Sequence, residues 1–116
     1  MSAGRYNFEI EEGATFTRTI TYTDNEDTAI DLAGSTVRMQ IRDNYSAADA
    51  VISLSTPSTG ITLSNETGKF TITMTATQTE SLGIKQGVYD IEVEYDNGTV
   101  ERILEGRVKI SRQVTQ

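Results

Sequence analysis

The residue types that could do chemistry here are carboxylates. Asp90, Glu92, Glu94 and Asp96 stand at every second position, and Glu101 and Glu105 follow within a few residues. Paired carboxyls are the equipment of a glycosidase, which needs two of them at a fixed separation inside a cleft. Strict alternation with Tyr89, Ile91, Val93 and Tyr95 predicts something else. It puts the acids on the wet face of a strand, as a solvated or docking surface. A second oxygen-rich group, Asp24, Asn25, Glu26, Asp27 and Asp31, has ligand types suited to calcium. It lacks EF-hand spacing and a bidentate twelfth-position Glu, so no metal site is expected there.

The remaining chemistry is limited by which residues are missing. The 116 residues include no Cys and no His. That removes disulfides, thiol nucleophiles and zinc fingers, and with them the imidazole base of a Ser-His-Asp triad. Glycines 83, 87, 98 and 106 are scattered rather than gathered into a phosphate-cradling loop. We therefore expect no enzyme, no catalytic or metal-binding residue and no cofactor. Seventeen acidic against ten basic residues give a formal charge of −7, which disfavours nucleic acid as a partner. Arg18, Arg38 and Arg42 read as outward strand positions rather than as a binding patch. Sugar-binding sandwiches present Trp or Tyr platforms. Trp is absent here, and only Tyr6 and Tyr45 fall outside core-facing positions. A carbohydrate- or host-receptor-binding module is thus the rival to a surface that meets other proteins.

The elements that must position these residues are strands. Phe8 and Ile10, then Phe16, Ile20 and Tyr22, then Val37, Met39 and Ile41, then Phe70, Ile72 and Met74 each repeat with period two. Thr fills many of the intervening positions and favours strands. In the segment 15–23 Arg18 interrupts the apolar face, which places that strand at an edge or rim. The C-terminal segment 107–112 is a second edge candidate. Outward residues there and on 15–23 are neutral or basic, a charge contrast with 90–96 that suits self-association. Thr77 followed by Glu80 matches a capping box, so one helical turn is expected near 78–83. Asn97-Gly98 signals a hairpin with a type I′ turn. A two-residue turn pairs Tyr89 with Gly106 and Ile91 with Leu104, whereas a three-residue loop pairs Glu92 with Arg102. A bulge at Ile103–Leu104 could reconcile the two.

About eight short strands at roughly ten-residue spacing indicate an all-β fold, an antiparallel immunoglobulin-like β-sandwich in a single domain over residues 1–116. No window approaches 18 apolar residues, and the first residues lack a secretory h-region, so synthesis in a cytoplasm without a membrane partner is expected. Residues 1–4 and 114–116 read as short ends or docking arms. The candidate interaction surface comprises Arg5, Tyr6, Arg18, Tyr45, Asp90, Glu92, Glu94, Glu101 and Arg107.

The order of motifs resembles a known family. An acidic first strand ends in Glu12-Gly13-Ala14-Thr15-Phe16, and Ile30-Asp31-Leu32-Ala33-Gly34 leads into residues 37–42. Gly68-Lys69-Phe70, residues 87–93 and residues 98–106 follow. This resembles small tailed-bacteriophage virion proteins and is similar to the N-terminal domain of phage baseplate upper proteins. The resemblance implies a non-enzymatic virion subunit, an adaptor in the tail baseplate or fibre-attachment region. It implies contact with other phage tail, baseplate or fibre proteins and with copies of itself. It carries over no functional residue, because its motifs are strand, turn and glycine positions.

Overall fold

A computed structural model describes residues 4–23, 26, 28–56, 59–64 and 67–112. Nine strands and one short helix follow in order: β1 Gly4–Arg5, β2 Phe8–Glu11, β3 Phe16–Thr21, β4 Thr36–Arg42, β5 Ile52–Ser55, β6 Ile61–Leu63, β7 Lys69–Met74, α1 Ala76–Glu80, β8 Gln86–Glu94 and β9 Val100–Ser111. They form the expected β-sandwich. The larger sheet runs β1-β9-β8-β4-β5, with β2 also on β9, and the smaller runs β3-β7-β6. The period-two apolar residues meet between the sheets. Ile10, Val37, Ile41, Ile61, Phe70, Ile72, Met74, Ile91 and Val93 are wholly buried in one continuous core.

Most pairings are antiparallel, but β1 and β2 run parallel to β9, so the larger sheet is mixed. This corrects the purely antiparallel reading. It also removes β9 from the edge candidates, because β8 flanks it on one side and β1 and β2 on the other. Gly4 belongs to a strand rather than to a free arm, while residues 1–3 and 114–116 lie outside the described residues.

The β8–β9 hairpin combines the two registers. Tyr89 opposes Gly106 and Ile91 opposes Leu104, then the register shifts so that Glu92 opposes Arg102. Ile103 is the extra residue of a bulge. The turn is a three-residue loop, with Gly98 N bonded to Tyr95 O, Tyr95 N bonded to Thr99 O and Gly98 at φ 89°. A glycine in the left-handed region after a type I turn is the standard solution for that loop length, in place of the type I′ turn expected from Asn97-Gly98.

The helix starts two residues before the Thr77–Glu80 box. Thr75 is the N-cap, its hydroxyl accepts from Gln78 N, and Gln78 Oε1 accepts from Thr75 N. Thr77 and Thr79 are both inside the helix. The Thr79 hydroxyl is buried, donates to Ala14 O and accepts from Gly13 N, which pins α1 to the β2–β3 turn.

Candidate functional site

The carboxylates of β8 do not form an open acidic face. β4 runs beside β8 with Arg38 opposite Glu92. The Arg38 guanidinium reaches Glu92 Oε1 at 3.2 Å and Glu94 Oε1 at 2.9 Å, and both hydrogen bonds hold its proton more firmly than usual. On the other side, Arg102 Nε lies 3.4 Å from Asp90 Oδ2, and its NH1 lies 3.9 Å from Glu105 Oε1. Asp90 and Glu105 oppose each other across the ladder, a like-charge pairing that is unfavourable by itself. Arg102 bridges them. Partial burial still lifts the Asp90 carboxyl above its ordinary range, and Glu92 adds to the shift. Each exposed pair contributes about 0–1 kcal/mol. The face is a mixed ladder of ion pairs that fixes register.

Glu101 is not on that face. It opposes the buried Val93 and accepts a hydrogen bond from the Tyr22 hydroxyl. Burial and this carboxylate together hold the Tyr22 proton well above the usual tyrosine range. Glu101 therefore ties the end of β3 to the hairpin. Asp24, Asn25 and Asp27 of the oxygen-rich loop lie outside the described residues. No group of three or more acidic residues placed to hold a metal occurs among the described residues.

Arg5, Tyr6 and Arg18 do come together. They line a cleft of about 350 Å³ between β1 and β3, where the two sheets part, with Phe8, Ile20 and Leu104 as its apolar lining. Arg18 occupies an inward-pointing position of β3, yet its guanidinium escapes through this opening. It lies 4.7 Å over the Phe16 ring and donates to Thr17 O at 2.9 Å. Tyr6 is half-exposed and packs edge-on against Phe8. Tyr45 stands apart on the β4–β5 loop, 72% exposed, and no stacked-ring contact involving it is found among the described residues. Arg107 points outward from β9, opposite Val88.

The cleft borders the edge of β3 that pairs with no strand among the described residues, and the direction of that edge's backbone groups follows from three contacts. Tyr22 N donates to Gly68 O, which makes the even-numbered residues of β3 the ones bonded to β7. The Thr19 and Thr71 hydroxyls lie 3.1 Å apart, as fits a non-hydrogen-bonded pair whose side chains approach closely. The Thr17 carbonyl is free to receive Arg18 rather than β7. Hence Thr17, Thr19 and Thr21 aim their N–H and C=O groups away from the sheet. Over these six residues the register with β7 is unbroken, without bulge or proline. The other terminal strands are shorter: two residues in β1, four in β2 and β5, and three in β6. The interruption of the apolar face at Arg18 predicts an edge or rim for 15–23, whereas which residues expose backbone follows only from the register.

No family model and no curated protein sequence matches the chain. Among solved structures, the extracellular domain of the voltage-gated sodium channel beta4 subunit, described as forming parallel homodimers that explain a role in cell–cell adhesion, is similar in fold. It shares 10% identity at a TM-score of 0.53, over 98% of this chain and 97% of that one.

Proposed function

We propose that this chain is a non-enzymatic structural subunit that works by protein–protein contact, in the setting of a phage tail baseplate or fibre junction. The observation that carries the contact reading is the free β3 edge. Native sheets normally protect an edge this long with charge, proline, a bulge or a covering element. Here the exposed positions are threonines, and Arg18 alone is charged. Such an edge accepts an added strand.

The edge is also self-complementary. Three outward residues centred on Thr19 can pair antiparallel with the same strand of a second copy, Thr19 opposite Thr19 and Thr17 opposite Thr21. Cross-strand threonine pairs are favourable, and this two-fold arrangement would close six backbone hydrogen bonds. Arg18 would have to release the Thr17 carbonyl first. Net stabilisation of about 0.5–1.5 kcal/mol per hydrogen bond is enough for reversible pairing of neighbours held at high local concentration.

The virion setting rests on the order of strand, turn and glycine motifs in the sequence. It is tested by mass spectrometry of particles purified from the source phage. Recovery of the chain at a fixed copy number per particle is the expected result. Its absence from intact particles, with the protein present in the lysate, would overturn the virion assignment.

A further inference from the structure

We infer that a basic groove across β2, β9 and the start of β8 binds an acidic, extended segment of a partner protein. This surface is separate from the β3 edge. The chain has ten basic residues. Arg38 and Arg102 are consumed by ion pairs. Arg42 is held by Gln40 Oε1 and Ala47 O, and Arg18 by Thr17 O. Lys69 has its own interactions. Among the described residues that leaves Arg5, Lys85, Arg107, Lys109 and Arg112 with no ion pair or hydrogen bond from their side chains. Four of these five line one groove of about 820 Å³, in which Glu9, opposite Lys109 in the ladder, is the single carboxylate among the described lining residues.

A chain of net charge −7 that gathers four cations without ion pairs in one groove exposes a local field opposite to its overall sign. The backbone fixes their spacing. Arg107 and Lys109 lie on one face of β9, about 7 Å apart along the strand, and Lys85 is joined to β9 where its carbonyl accepts from Ile110 N. Alternate side chains of an extended peptide repeat at the same distance, so a segment carrying Asp or Glu at every second position matches this row. Single-stranded nucleic acid fits less well. Its binding grooves use aromatic stacking platforms, and the one ring lining this groove, Phe8, is buried. The net charge of the protein would also repel a polyanion extending beyond the groove.

The probe is a fluorescently labelled eight-residue peptide alternating Glu and Ser, compared at low salt with a single-stranded oligonucleotide of the same charge. Binding of the peptide is expected, weakening as salt is raised. Joint replacement Lys85→Glu and Lys109→Glu should weaken it by about tenfold or more, while Lys85→Arg with Lys109→Arg retains it. Both positions are exposed, and thermal melts of both variants establish that they are folded. Undetectable peptide binding, unchanged affinity after charge reversal, or tighter binding of the oligonucleotide would each overturn the inference.

Discussion

Replacement of Gly106 by alanine is expected to lower the unfolding free energy by about 3 kcal/mol. A Cβ at this position would sit 2.0 Å from Tyr6 O and 2.8 Å from Tyr6 C. These are backbone atoms and cannot swing aside as a side chain would. The crossover from β1 to β2 passes directly over Gly106 and is held by three bonds. Tyr6 N donates to Glu105 O, the Tyr89 hydroxyl donates to Tyr6 O, and Arg107 N donates to Asn7 Oδ1. A methyl group would push the crossover off β9 and break them together. Phe8 and Ile10, both buried, would then lose part of their cover. The backbone of Gly106 is not in the left-handed region, so the cost is steric. Urea denaturation of the variant tests this, and a loss below about 1 kcal/mol would contradict the close approach.

Phe70→Ala is expected to cost about 4 kcal/mol, because it combines lost burial with a cavity in the central strand of the smaller sheet. Phe70 is fully buried, opposite Ile20 on β3 and Leu63 on β6. With Ile72 and Met74 it forms the buried face of β7 between its two neighbours. The same denaturation experiment measures it, and a cost below about 2 kcal/mol would mean that the surrounding side chains collapse into the space.

The two glycine and aromatic positions were legible in the sequence to different degrees. Phe70 sits in a strand with clean alternation, so its burial follows from period alone. Gly106 opposite Tyr89 follows from the hairpin register. What lies over Gly106 does not, because the N-terminal strands reach β9 from about 100 residues away and no local pattern announces a parallel pairing. The helix cap lies at Thr75 rather than Thr77 for a related reason. Threonines at 71, 73, 75, 77 and 79 offer several equivalent caps, and tertiary anchoring of Thr79 to the Gly13–Ala14 turn selects Thr75. The acidic row on β8 was visible in the sequence, but Arg38 and Arg102 offset part of its charge from strands on either side. That pairing depends on the β4–β8 register and on the β9 bulge. The basic character of 107–112 was legible in the sequence, but the groove was not, because Lys85 and the β2 wall reach Arg107, Lys109 and Arg112 only in three dimensions.

The most direct test of the contact reading is the mass of the purified protein in solution, by light scattering across a concentration series, for wild type and for Thr19→Pro. The Thr19 N–H faces the free edge, so proline there removes no ladder hydrogen bond and is compatible with an edge strand. Assembly through β3 predicts a concentration-dependent rise towards the dimer mass for wild type, with the proline variant folded and monomeric throughout. A wild-type protein that stays monomeric at the highest concentration, or a proline variant that associates as wild type does, would contradict it.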